Sequence, residues 1–551
     1  MIFPRVKQFS AGTETFFCEQ LKVFSLGKGD LFFSTLKILL PELPVELVPY
    51  GNANVRLSVS EDYSAQKEYV SFRVREGIME IHCRDAAGAR NAAAILAQLL
   101  KKTDTGYTMI CCDLADWPDA QYRAFMVESS GRVWMPMDRI LGYIKEMALC
   151  RMNVLQFHFM EDPGCTVPLK SVPDFKGGPN GEKFTRQEVD RMIAYAADLG
   201  IRVVPFIEVL SHAADLALEE GIMCPGDNLE NLYDVCLGQE KTYAVIEKVI
   251  REVAEIFPDE VIHIGADEYD MSRVTPYTAH WDQCPHCRAL MAEKGYTTLR
   301  ELFLYGICRI NEIVNNAGKV MMMWNADLHP GHLPEELPRN ILIHYYRYCS
   351  DLGREDIFNL NINGYAEEGF SVINSYYPQT YMDLPEYMSA EKLCSWTHLK
   401  DPLVKAKNAP QIPGGCLCAW EDYDHYRRTI PAAIALFADR LWNAENDPAD
   451  YDDAYGRSMT RVVFDRKLPE NMNVFACIGD VLPPLANDAP AHIRMVFAEK
   501  KTLEAVRDAL LQIEDDSVAY AYLEAVQWVI AEKEKQSAYT GPQKERIAFK
   551  G

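Results

Sequence analysis

Between residues 122 and 442, short apolar runs alternate with amphipathic stretches, and few folds accept that rhythm. Candidate strands lie at 123–128, 154–159, 203–209, 261–265, 320–324, 341–345, 371–375 and 415–420. Near-continuous apolar runs of this kind suit strands buried on both faces. Helical periods fall between them, at 137–151, 186–199, 243–256 and 298–315. Eight such units over about 320 residues have the pattern and size of a (β/α)8 TIM barrel. An open doubly wound sheet would share the alternation, but no GxGxxG or Walker-type loop supports a nucleotide-binding version of it.

The flanks read differently. Residues 55–59, 70–74 and 78–82 alternate apolar and polar, as half-buried strands do, and 85–100 reads as a helix with Asp85 as N-cap. A small α+β domain over 1–117 is expected, with a linker at 113–120 around Trp117-Pro118-Asp119. The barrel is expected over 118–445, and a helical C-terminal region over 446–551, where 500–518 and 519–534 read as helices.

Lys plus Arg number 56 and Asp plus Glu 80, so the net charge is −24. Such an excess of acid speaks against nucleic acid or an anionic membrane as partner. The start, MIFPRVKQFS, lacks the apolar core of a signal peptide, and no run of about 18 apolar residues occurs, so a cytoplasmic location is expected. Sixteen cysteines are scattered along the chain, and buried, reduced thiols are the default reading. Cys284-Pro285-His286-Cys287 has the spacing of half a zinc site; its completing ligands would have to come from distant positions such as Cys224 or Cys236.

In a barrel of this type, chemistry belongs at the C-terminal ends of the strands. Polar and aromatic residues at or near those ends include His158, Glu161, Asp162, Glu208, His212, Asp267, Glu268, Trp324, Tyr381, Asp383, Trp420 and Asp422; Arg123 lies in the first strand. Aromatic faces stack on sugar rings, and carboxylates and Arg bind hydroxyls in pairs, so the set reads as a sugar pocket in which acids move protons. The stretch VIHIGADEYD (261–270) opens a buried strand into two adjacent acids after a pair of small residues.

That stretch resembles the His-x-Gly-Gly-Asp-Glu signature of glycoside hydrolase family 20, the β-N-acetylhexosaminidases. The resemblance continues in YRAFMVESSGR (122–132), MNVLQFHFMEDPG (152–164), GIRVVPFIEVLSHA (200–213), TYMD (380–383) and GGCLCAWEDY (414–423). It covers the barrel and the preceding domain, but not the last hundred or so residues. It implies exo-acting, retaining hydrolysis of terminal β-linked GlcNAc or GalNAc, in which the substrate's own acetamide attacks the anomeric carbon. No cofactor or metal is implied, and a homodimer is compatible with it.

By the resemblance, Glu268 is the general acid, Asp267 orients the acetamide N–H, and Tyr381 donates to the acetamide oxygen. Trp324 and Trp420 wall the sugar, with Trp396 as a third wall. Arg123 binds the 3- and 4-hydroxyls, and Asp383 and Asp422 reach the 4- and 6-hydroxyls. His212 and Asp162 support the acid, while His158 and His263 are read as core or supporting groups. The chain departs from the family pattern at Ala266, where Gly is usual, at Glu208 (usually Asp), at Asp422 (commonly Glu), and in Tyr376-Tyr377-Pro378. These departures leave open a 6-sulfated GlcNAc or a lacto-N-biose substrate. A non-catalytic glycan-binding protein is the reading from another class.

Overall fold

In Val70–Arg75 (VSFRVR), Val70, Phe72 and Val74 are buried while Arg73 and Arg75 face solvent, as a sheet covered on one face requires. This strand belongs to a computed structural model that describes residues 2–130, 134–162, 164–225, 234–268, 280–325, 328, 330–331, 333–346, 361–381, 390–420, 430–445 and 500–513, with scattered positions from 523 to 534. The first domain is a mixed sheet of β1 (Gln8–Cys18), β2 (Leu21–Leu26), β3 (Val45–Leu47), β4 (Val55–Val59), β5 (Val70–Arg75), β6 (Ile78–Cys83), β7 (Lys101–Thr103) and β8 (Gly106–Asp116). Its order is β1-β8-β5-β6-β4-β2-β3, with β7 paired to β8. Two helices cover one face, α1 (Asp30–Leu39) and α2 (Ala86–Leu99). Asp85 caps α2, its side chain accepting from the Gly88 N–H at 2.8 Å. Ala89, Ala92 and Ala93 pack toward the sheet, while Ala94 and Ala97 join the barrel's outer core. Small side chains let this helix serve two cores at once.

The linker expected at 113–120 is shorter than its sequence suggested. Asp116 still pairs with Val70 in the sheet, so the strand runs to that residue. The barrel follows. Its eight parallel strands are β9 (Tyr122–Glu128), β10 (Val154–Glu161), β12 (Arg202–Ile207), β13 (Val261–His263), β14 (Val320–Trp324), β15 (Leu342–Tyr345), β16 (Ser371–Asn374) and β17 (Gly414–Ala419); β11 (Gly164–Cys165) is a short hairpin arm on β10. Pairing of β17 with β9 closes the ring. The outer layer holds α3 (Met137–Leu149), α4 (Arg186–Asp198), α5 (Ala214–Glu219), α6 (Glu240–Ile256), α7 (Pro285–Lys294), α8 (Leu299–Asn316), α9 (Ile362–Glu367), α10 (Tyr377–Thr380), α11 (Ala390–Ser395) and α12 (Ile430–Trp442). Beyond them α13 (Lys500–Leu510) buries Leu503, Val506 and Leu510 against the same outer core. Among the described residues, no helix is long and apolar enough to cross a membrane.

Strand parity sorts the side chains. Tyr122, Ala124 and Met126 of β9 point into the barrel interior with Phe206, Met322, Trp324, Cys416 and Cys418. Phe125 and Val127 point outward to the helices. Arg123 shares their parity and sits at the N-terminal end of the strand, opposite the rim formed by the strands' C-terminal ends. There it is fully buried and grips Glu68 of the first domain, through Nη2–Oε2 at 2.7 Å and Nη1–Oε1 at 3.1 Å. The expected role of Arg123 in binding sugar hydroxyls is therefore corrected: it fastens the two domains. Arg90 lies 3.8 Å from Glu68, and buried Arg151 pairs with buried Asp116. Both Arg123 and Arg151 lie over the Trp442 ring.

Burial alone would push the Glu68 carboxyl up, but the charges of Arg123 and Arg90 and the hydrogen bonds from Arg123 and Asn91 hold it below the usual carboxylate range. Its contribution to stability is present above the unfolded pKa of about 4.3 and is lost as pH falls through the lower folded value. Glu68→Gln leaves two buried guanidinium groups without their counter-charge, which should cost about 3–5 kcal/mol at neutral pH. Chemical denaturation should show that gap at pH 7 and its closing in acid; a loss below about 1 kcal/mol would contradict this role.

Candidate active site

The C-terminal mouth of the barrel is built in layers. The lower one is a ring of stacked side chains in the interior: His158 lies on Phe206 and Phe206 on His263, each pair with centroids 3.9 Å apart. Trp324 lies on His344, also at 3.9 Å. A directional hydrogen-bond chain crosses this layer. The Gly265 N–H can only donate, so His263 Nδ1 accepts, at 3.0 Å. His263 therefore carries its proton on Nε2 and gives it to His344 Nδ1 at 3.1 Å; His344 Nε2–H then donates to Ser375 Oγ at 2.9 Å. Ser375 Oγ–H in turn donates to the Cys416 carbonyl. Burial keeps both imidazoles neutral, well below their ordinary pKa, and for His263 the neighbouring His344 and His158 add to the effect.

Above this layer the acids converge. Beyond β13 the chain turns through Gly265 and Ala266, both with left-handed backbone, at φ +68° and +67°. Gly265 is obligatory: a Cβ there would lie 1.7 Å from Glu208 Oε2. The longer Glu208, standing where Asp is usual, fills that space and accepts from the Ala266 N–H at 3.1 Å. Burial, then the charges of Asp267 and Glu161, push the Glu208 carboxyl well above its usual range, which favours its protonated form and the hydrogen bond to Asp267.

His212 is the cation of the group. Its Nε2 lies 3.6 Å from both Asp267 Oδ2 and Glu268 Oε2, and its Nδ1 lies 3.3 Å from Glu161 Oε1. Burial by itself lowers the imidazole pKa, but Asp267, the hydrogen bond to Glu268 and the charges of Glu161 and Glu268 together raise it to about 10. His212 and Glu268 also adopt left-handed backbone, at φ +47° and +58°. Each such residue costs about 1–3 kcal/mol and persists only where its surroundings fix it.

The supporting pair expected at His212 and Asp162 is corrected. Asp162 instead accepts from the Ala214 and Asp215 N–H groups at 2.7 and 2.8 Å, capping the start of α5. The carboxylate against His212 is Glu161, which also lies 3.5 Å from His158 Nε2. Strict alternation along β10 would turn Glu161 outward, but the pairing with β12 slips between His158 and Met160. That one-residue irregularity returns Glu161 to the interior. Glu128, at the end of β9, points inward beside His158 and Glu161 and accepts from Ser130 Oγ at 2.8 Å.

Aromatic rings line the inner wall. Trp324, Tyr381 and Trp420 lie with centroids 5.9–6.2 Å apart. Tyr346 joins them, 5.3 Å from Trp324 and parallel to Tyr381 at 6.3 Å. Its place follows from parity with Leu342 and His344 on β15, a signal legible in the sequence but overlooked. The altered Tyr376-Tyr377-Pro378 loop still delivers Tyr381: α10 starts at Tyr377, and Tyr381 bridges to Cys418 of β17. Trp396 is elsewhere. It is fully buried in the outer core, stacked on Phe437 of α12 at 4.7 Å, and its Nε1–H donates to the Asp401 carbonyl. The expectation of a third sugar wall there is corrected. Asp383 and Asp422 fall outside the described residues.

Residues 121–444 match the model of glycosyl hydrolase family 20, catalytic domain. A β-hexosaminidase of Vibrio furnissii is 28% identical over 348 residues, covering 58% of this chain and 53% of the relative, so the chain spans about half of that protein's length. The β-hexosaminidase subunit A1 of Dictyostelium discoideum is 25% identical over 73% of this chain and 75% of its own. Among solved structures, a β-N-acetylhexosaminidase from Bacteroides fragilis superposes with a TM-score of 0.72 at 23% identity, over 84% of this chain and 95% of that one. A Vibrio harveyi exo β-N-acetylglucosaminidase in complex with N-acetylglucosamine gives 0.70 at 20% identity, over 85% and 77%. The barrel, the signature strand and the family match over more than half of the chain agree: this chain belongs to glycosyl hydrolase family 20.

Proposed function

We propose that this chain is an exo-acting, retaining β-N-acetylhexosaminidase that removes terminal β-linked GlcNAc or GalNAc by substrate-assisted catalysis. The observation that carries the reading is the adjacent pair Asp267-Glu268, held by one imidazolium at the mouth of an aromatic-lined barrel. Two neighbouring acids in different surroundings can take different roles. Asp267, backed by its hydrogen bond with Glu208, accepts from the acetamide N–H and balances the positive charge that develops on the ring the acetamide forms. Tyr381 donates to the acetamide oxygen. That oxygen attacks the anomeric carbon while Glu268 gives its proton to the leaving oxygen. Water, deprotonated by Glu268, then opens the oxazolinium, and two inversions restore the starting configuration. An internal nucleophile needs mainly orientation, and effective molarity supplies several kcal/mol of the barrier. Trp324, Tyr346 and Trp420 supply faces for the sugar and its methyl group.

Turnover of p-nitrophenyl N-acetyl-β-glucosaminide and galactosaminide tests the reading. Asp267→Asn and Glu268→Gln should each lose about two to four orders of magnitude in kcat/KM, the loss in Glu268→Gln growing as the leaving group worsens. Near wild-type turnover of a poor-leaving-group substrate by Glu268→Gln would contradict the assignment.

His212 supplies a second test. Its raised pKa gives a stabilising contribution fully present below about pH 6.5 and lost as pH rises through about 10. His212→Asn should lower kcat by about 10–100-fold with little change in KM. Relative to the variant, the wild type should lose its thermal advantage between those two pH values; an advantage that grows in alkali would contradict a charged His212.

A further inference from the structure

Four cysteines from two separate stretches meet at one point beside the barrel rim. Cys224 and Cys236 follow β12 and α5; Cys284 and Cys287 follow β13, with Cys284 as the N-cap of α7. All four are buried, and their sulfurs lie within 4.8 Å of one another. The sulfur separations are 3.5 Å for Cys236–Cys284, 3.7 Å for Cys236–Cys287 and 4.0 Å for Cys224–Cys287. A disulfide would need about 2.0 Å. A tetrahedron of thiolates around zinc, with Zn–S of about 2.3 Å, has edges of about 3.8 Å, which these values bracket. The geometry points to a structural zinc site made of Cys224, Cys236, Cys284 and Cys287.

The scaffold is built around the four sulfurs. The Cys236 N–H donates to the Ile222 carbonyl at 2.8 Å, and its own carbonyl accepts from Thr242 Oγ1 at 2.6 Å. Trp281 Nε1–H donates to the Val235 carbonyl at 2.9 Å, tying the second pair's connection to the first. Gly238 lies against the Cys284–Cys287 turn so closely that a Cβ would meet the Cys287 nitrogen at 2.4 Å. The N-terminus of α7 presents its positive end to the Cys284 and Cys287 thiolates. Binding zinc releases the four thiol protons to solvent and leaves a site of net charge about −2. The other described cysteine cluster, His344 with Cys416 and Cys418, differs: Ser375 is bonded to His344 and to the Cys416 carbonyl, which uses its polar groups internally. The ion fastens the connection after the third barrel strand, which carries His212, to the one after the fourth, which carries Asp267 and Glu268. Its task is to hold the rim, and no step of hydrolysis passes through it.

Metal analysis of protein purified without chelator or metal-affinity resin tests this. About one zinc per chain is expected, falling below about 0.1 in Cys284→Ser/Cys287→Ser and unchanged in Cys308→Ser, a cysteine outside the cluster. Should the double variant fail to fold, wild-type protein produced with cobalt should show the visible ligand-field bands of tetrahedral cobalt thiolate. Metal-free wild type, disulfides among the four cysteines, retention of zinc by the folded double variant, or absence of those bands would each overturn the proposal. One iron per chain in place of zinc would overturn the choice of metal.

Discussion

His212 is packed among Glu161, Asp267 and Glu268, and the charge balance of the rim hangs on its proton. Carboxylates this close repel one another, and each would be driven toward its neutral form without a cation between them. The imidazolium favours the charged form of the carboxylates it touches, while burial and the neighbouring charges of Asp267 and Glu161 favour the protonated form of Glu208. Everything nearby serves to place that one ring. Glu161 is turned inward by a slip in strand pairing, Asp162 pins the turn that follows His212, and the His212 and Glu268 backbones are held in left-handed conformations.

A comparable arrangement holds the other end of the barrel. The five described non-glycine residues with left-handed backbone are Glu68, Arg151, His212, Ala266 and Glu268. Glu68 and Arg151 belong to the ion network that joins the first domain to the barrel's base, and the other three belong to the rim. Among the described residues, left-handed backbone outside glycine and buried paired charges thus occur at the same two places.

The barrel was legible in the chain because strands buried on both faces must be short, apolar and regularly spaced, and the eight candidate runs coincide with β9, β10 and β12 to β17. The acid pair was legible because two small residues and two acids at a strand end leave little other reading. Arg123 was misread because a motif gives residue order but not depth. Counting from the strand start places it at the base and on the outer face, and that count was available in the sequence. Glu161 was passed over for Asp162 because no residue pattern announces a one-residue slip in pairing; it arises when neighbouring strands meet. Trp396 shows the same limit. An indole at the end of a barrel unit suits a sugar or a helix equally well, and only packing against Phe437 decides.

The central claim is that the substrate supplies its own nucleophile, which Asp267 and Tyr381 orient and Asp267 stabilises as charge develops. A series of p-nitrophenyl β-glucosaminides carrying acetyl, fluoroacetyl, difluoroacetyl and trifluoroacetyl groups on nitrogen measures this directly. Each fluorine weakens the acetamide oxygen as a nucleophile while leaving the leaving group unchanged. The proposed mechanism predicts that log kcat/KM falls steeply and linearly along the series. A flat series would mean that an enzyme carboxylate or water attacks the sugar, and would contradict it.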